Sequence, residues 1–220
     1  MRALLAGFLL LALPAQARPV VVEMFTSLAC SSCPPADNLL ASLAKNPGIL
    51  PLSFNVSYWN SPAFTDPYAL QAATDRQTWY AGLRHGQDVY TPEAVVDGTA
   101  QLVGSERANL TAAVAAAKAS PAGNVPITIT GGRMVTIKIG AGAGGATIWM
   151  FGYDSKHTIA LGGGENGGTT VTEINVVRSI ANLGPWTGPE MSMSFSHPAG
   201  QHVAVVVQTP TGAVIAAAAA

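Results

Sequence analysis

The chain has 220 residues, a formal net charge of −1, and only 10% charged residues, against about 25% in typical soluble proteins. It has no basic patch, which argues against nucleic acid or an anionic membrane surface as a partner. An apolar content of 49% is ample for a core, so the chain does not depend on cross-links merely to stay folded.

Residues 1–17 read as a signal peptide. Arg2 is a short basic start and LLAGFLLLAL is an apolar run, too short for the roughly 20 residues that a bilayer span needs. Ala15-Gln16-Ala17 is an A-x-A cleavage signal, placing cleavage before Arg18. The expectation is an exported protein, periplasmic or secreted, with no membrane span once the signal is removed. Its cysteines then meet conditions in which disulfides persist.

Residues 20–25 form an apolar run that reads as a buried strand. Cys30 and Cys33, the chain's only two cysteines, follow in LACSSCPPADNLLASLA. Pro34 and Pro35 suit a first helical turn. Leu39, Leu40 and Leu43 share one face, and Gly48 marks the stop. Residues 49–58 alternate as a second strand. Asp66-Pro67 reads as the start of a helix running to His85, with Gly86 beyond it. Residues 94–96 form a short strand, Asp97-Gly98 a hairpin turn, and residues 100–103 another strand. Ser105 then opens a helix whose Leu110, Val114 and Ala117 share a face.

The resulting order is β-α-β-α-β-β-α. It predicts a parallel first pair of strands and an antiparallel last pair. Ser120-Pro121-Ala122-Gly123-Asn124 reads as a linker. Beyond it, ITITGGRMVTIKI predicts a hairpin with a three-residue loop, Gly131-Gly132-Arg133, pairing Ile129 with Val135 and keeping the isoleucines on one face. Later strands are expected at residues 146–153, 157–161, 169–177, 191–195 and 203–208. The alanine tail, residues 216–220, reads as frayed.

The strand–C-x-x-C–helix start resembles the thioredoxin fold, and so does Tyr90-Thr91-Pro92 leading into AVVDG. A cis bond is affordable only before proline, and the resemblance implies a cis Pro92 facing the cysteines. A wider likeness covers nearly all of the chain after the signal, through VVEMFTSLACSSCPPAD, LSFNVSYWN, DPYALQAATDRQTWYA, VYTPEAVVDGTAQLVGS and GENGGTTVTEINVVRSIANLGPW. There the sequence resembles a bacterial family of secreted thioredoxin-like proteins labelled as a domain of unknown function. It departs from thioredoxin in having Ser-Ser between the cysteines, Leu28-Ala29 in place of the preceding tryptophan, and a longer insertion before Pro92. The fold expected is α/β: a thioredoxin-like domain over residues 18–120, then a small antiparallel β-sandwich or barrel over residues 121–220.

The expected function is thiol–disulfide exchange with a protein or a small thiol or disulfide, without a cofactor. Cys30 is the attacking thiol, Cys33 the resolving one, and Thr91 and Pro92 lie across from them. Ser31 and Ser32 are candidate donors to the Cys30 thiolate. The resemblance implies that Glu23 serves as the buried proton acceptor; otherwise it faces outward or pairs with an arginine. Two alternatives stand beside exchange. One is copper handling with Cys30 and Cys33 as the metal ligands; zinc would need two more ligands. The other is a binding module with a structural disulfide. Tyr58, Trp59 and Asn60 either line a groove near the cysteines or join the core. Glu165-Asn166-Gly167 resembles a family motif and also fits an ordinary hairpin turn.

Overall fold

The computed structural model describes residues 18–86, 88–120 and 125–220. The expected signal peptide lies outside these residues, as does most of the expected linker. The elements are β1 (Val20–Thr26), α1 (Pro34–Leu43), β2 (Ile49–Asn55), α2 (Gln71–Leu83), β3 (Glu93–Val96), β4 (Ala100–Val103) and α3 (Arg107–Ala119). They continue with β5 (Ile127–Gly131), β6 (Met134–Ile139), β7 (Ala146–Ala160), β8 (Thr170–Trp186), β9 (Met191–Ser196), β10 (His202–Gln208) and β11 (Val214–Ala219).

The first half follows the expected order. β1 and β2 are parallel, and β3 and β4 are antiparallel. The two-part layout does not hold, however, and the expected fold class is corrected. The molecule is mostly β, with three helices among the described residues. It is not a thioredoxin-like α/β unit followed by a small sandwich or barrel. One mixed sheet of eight strands runs β11-β10-β7-β8-β2-β1-β3-β4, and a three-stranded sheet, β5-β6-β9, lies apart from it.

The seam explains the correction. Every residue of β2 is buried, so its outer edge needs a polar partner inside the protein. β8 supplies one. Val176 stands parallel to Ser53, the Ser53 hydroxyl donates to the Ile174 carbonyl at 2.8 Å, and Asn175 Nδ2 donates to the Pro51 carbonyl at 2.7 Å.

Among the described residues, three of the four hydrophobic clusters fill the two faces of the large sheet, and the fourth joins Leu28 to Leu161 and Val171. α1 and α3 cover one face of the first half through Leu39, Leu40, Leu110 and Val114 against Val20, Val22 and Met24. On the opposite face, Tyr80 and Ala73 of α2 join Phe25, Phe54 and Phe151. The small sheet closes the remaining face with Val135, Ile137 and Ile139 against Ile148, Val203, Val205 and Val207.

Four further expectations change. The strands expected at 146–153 and 157–161 are one strand, β7, and β8 extends far beyond residue 177. α2 begins at Gln71 with Leu70 as its cap residue, rather than at Asp66-Pro67. In the β5–β6 hairpin Ile129 pairs with Ile137, which keeps the expected face but moves the register two residues. Gly131 sits at φ +135°, where a Cβ would meet the Met134 carbonyl oxygen, so the turn closes around Gly132-Arg133. The alanine tail is not frayed: it forms β11 on β10. Ala216 faces the core under the small sheet and Ala217 the core under α2.

Candidate functional site around the Cys30–Cys33 disulfide

β1 ends at Thr26, and the chain turns through Ser27–Cys30 before entering α1. Cys30 and Cys33 are joined by a disulfide, with Cα atoms 5.5 Å apart. Both residues are buried, at 1% and 0% exposure, whereas Ser31 and Ser32 between them are exposed. Cys33 is the residue that caps α1, and its carbonyl accepts from the Ala36 and Asp37 amides at 2.9 and 3.1 Å. Pro34 and Pro35 remove two of the amide donors that a helix start ordinarily offers. Cys33 therefore stands at the positive end of the helix dipole, with no side-chain hydrogen bond to the first turn.

The Thr91-Pro92 bond is cis. The Thr91 carbonyl oxygen lies 3.9 Å from Cys30 Sγ. The Ser32 hydroxyl sits between them, 3.2 Å from the sulfur and 3.5 Å from that oxygen. A disulfide sulfur carries no hydrogen, so toward Cys30 the hydroxyl is the donor. Trp59 Nε1 donates to the Thr91 hydroxyl at 2.7 Å, and the side chain packs against the core that holds Phe25 and Phe54. Tyr58 is exposed and donates to Gln77.

Ser31 turns away from the sulfur. Its amide and its hydroxyl donate to Glu165 Oε2 at 3.0 and 2.7 Å. Asn166 Nδ2 donates to the carbonyls of Leu28 and Cys30 at 3.0 and 2.8 Å. Gly164 holds φ +72°, and a Cβ there would come within 3.1 Å of Ala29 Cα, so this approach needs glycine. The loop joining β7 to β8 thus clamps the cysteine loop. Those two Ser31 bonds hold the Glu165 carboxyl below the ordinary range.

Three buried carboxyls surround the segment that leads to the cysteines. Asp37 accepts from the Thr26 hydroxyl at 2.9 Å. Asp66 accepts from the Leu28 and Tyr68 amides at 2.9 and 2.8 Å. Asn55 Nδ2 bridges Asp66 and Glu173, at 3.1 Å and 3.0 Å. Burial pushes Asp37 up to about 7, with the Thr26 hydroxyl pulling the other way and the Asp66 charge adding to the rise. Burial, then the charges of Asp37 and Asp66, raises Glu173 well above the ordinary range.

Glu23 stands apart from this cluster. Its carboxylate forms a two-point bond with Arg76, at 2.5 and 2.7 Å, and accepts from the Tyr80 hydroxyl at 2.7 Å. The pairing with an arginine is the arrangement seen.

Asp37 and Glu173 escaped the sequence reading, although each had a signal. Asp37 lies one helical turn beyond Cys33 on a helix whose face is otherwise apolar. Glu173 alternates with buried Val171, so a period of two puts both on the same face. Among the described residues no group of three or more histidine, cysteine, aspartate or glutamate side chains is arranged to hold a metal, and no helix is long and apolar enough to cross a membrane.

No curated protein matches the chain. The crystal structure of protein AGR_C_4864 from Agrobacterium tumefaciens is similar at 29% identity and a TM-score of 0.81, covering 93% of this chain and 95% of that one. HBP35 of Porphyromonas gingivalis is similar in fold alone, at 13% identity and a TM-score of 0.59, covering 92% of this chain and 74% of that one. Residues 21–208 match the family described as "Protein of unknown function (DUF1223)". That match spans every residue of the clamp and the disulfide, and the chain belongs to this family.

Proposed function

We propose that this protein is an exported thiol–disulfide exchange protein working through Cys30 and Cys33. The observation that carries the reading is the size of the ring that the disulfide closes. The cysteines are three positions apart, and a cross-link over so short a loop stabilises a fold by only about 2 kcal/mol on the chain-entropy account. That is a small return for a structural bond in a chain with four buried hydrophobic clusters among its described residues.

In the oxidising direction a substrate thiolate attacks Cys30 Sγ. The Cys30–Cys33 bond breaks, its electron pair goes to Cys33 Sγ, and a mixed disulfide forms on Cys30. A second substrate thiolate attacks the substrate sulfur of that bond and expels Cys30 as a thiolate. Two electrons have then passed from the substrate to the cysteine pair, and two protons complete the dithiol. The helix dipole favours the Cys33 thiolate as it forms. Asp37, one turn along and pushed up to about 7 by burial, is the group suited to pass a proton near neutral pH. The Ser32 hydroxyl and the Thr91 carbonyl face the Cys30 side of the exchange.

Burial of both sulfurs favours a second reading, a structural disulfide. A redox titration separates the two. A potential above about −230 mV supports exchange, and one below about −300 mV supports a structural bond. In the exported compartment, a Cys33→Ala variant is expected to accumulate mixed disulfides on Cys30; their complete absence would overturn the exchange reading.

A further inference from the structure

Away from the disulfide, a cavity of about 640 Å³ opens between α2 and the strands β7, β8 and β10. None of its lining residues belongs to the disulfide loop, to Thr91-Pro92 or to the clamping loop. Its volume falls within the roughly 300–1,000 Å³ of small-molecule sites. Trp79, Trp149 and Ile180 supply apolar walls, and Asp75 and Asn182 supply polar lining.

Arg76 also lines this cavity, and its side chain is only 1% exposed. Nε and Nη2 are spent on Glu23, Tyr80 and Gln208. Gln208 offers nothing further, since its amide nitrogen donates to Tyr80 and to the Gly212 carbonyl at 2.7 and 2.6 Å. Arg76 Nη1 has no hydrogen-bond partner among the described residues. A buried donor left in that state is unfavourable, and an acceptor brought by a ligand relieves it. The guanidinium lies 4.9 Å from the Trp149 ring centroid, so an acceptor bound there sits beside an aromatic face.

Charge decides the class of ligand. Glu23 already neutralises Arg76, and Asp75 leaves the lining with a net negative charge. A carboxylate would meet repulsion without a free positive charge to offset it. We propose that the cavity binds a small, flat, uncharged molecule whose carbonyl oxygen accepts from Arg76 Nη1 while its ring stacks between Trp79 and Trp149.

The test uses the intact protein and three probes of one shape: 1-indanone, the hydrocarbon indane, and indane-1-carboxylate. Tryptophan fluorescence titration is expected to show 1-indanone binding at least tenfold more tightly than either of the others. The Arg76 side-chain N–H resonance should shift on adding 1-indanone and stay still on adding indane. Ile180→Trp, which fills the cavity, is expected to abolish the titration. Equal affinity for ketone and hydrocarbon, preference for the carboxylate, an unmoved Arg76 resonance, or no response to any probe would each overturn the assignment.

Discussion

Glu165 accepts two hydrogen bonds from Ser31 through a single oxygen, one from the amide and one from the hydroxyl, across 134 positions of sequence. The contact ties the loop between β7 and β8 to the residue beside Cys30. Glu165→Ala should therefore free the disulfide loop, and reduction by dithiothreitol should run severalfold faster than in the parent. Ser31→Ala keeps the amide bond and should show a smaller gain. The Glu165 carboxyl is held below its ordinary range, so its contribution is present above that range and fades as the pH falls through the depressed folded value. At sufficiently low pH the parent should react like the alanine variant. Equal reduction rates at neutral pH would remove the clamp from the account.

Asp37 and Glu173 have the opposite sign. Each holds its proton more tightly in the folded chain than in the unfolded one. Their stabilising contribution is full below the ordinary carboxylate range and is lost as the pH rises through the folded value, about 7 for Asp37. One pKa unit corresponds to about 1.4 kcal/mol, so the Asp37 share is on the order of a few kcal/mol. Urea midpoints should fall between about pH 5 and about pH 8 in the parent, and Asp37→Asn should flatten that slope. Parallel slopes in the two proteins would refute the assignment of Asp37.

Reducing the disulfide should cost little. The expected loss in urea-denaturation stability is about 2 kcal/mol or less. A loss of about 4 kcal/mol or more would mean that the bond is a staple, and the exchange proposal would lose its main support.

The Glu23–Arg76 pair is buried at both ends, with side-chain exposure of 1% each. Arg76→Met should destabilise the fold by about 3–5 kcal/mol, because it leaves a buried carboxylate unpaired. Combining it with Glu23→Leu should recover most of that loss. Equilibrium unfolding of the two variants checks both statements, and an additive double variant would contradict the pairing.

The features legible in the sequence were local ones. The cysteines at the start of a helix, the order of the first seven elements and the Asp97-Gly98 turn all follow from short-range periodicity and turn chemistry. Both turn residues take positive φ, +48° and +70°. What escaped depended on distant partners. Nothing near Val176 signals that it will stand beside Ser53, so the single large sheet could not be read from either strand alone. Asp66 has the local pattern of a helix cap, and one of its oxygens accepts from the Tyr68 amide. Yet the helix starts only at Gln71, and the other oxygen accepts from the distant Leu28 amide. Alanine carries a weak hydrophobic signal, which hid the tail; its small side chain is what lets Ala216 and Ala217 fit opposite faces of an already filled sheet. Glu165-Asn166-Gly167 was visible as a motif, but its target, the cysteine loop, lies across the fold.

The seam between β2 and β8 has a further consequence. One sheet takes strands from both sides of residue 120, so a cut there parts β2 from β8. A fragment ending there would leave Ser53 without Val176 opposite it and the edge of β2 open, a ribbon prone to self-association. Recombination between relatives would have to exchange both halves together for the same reason.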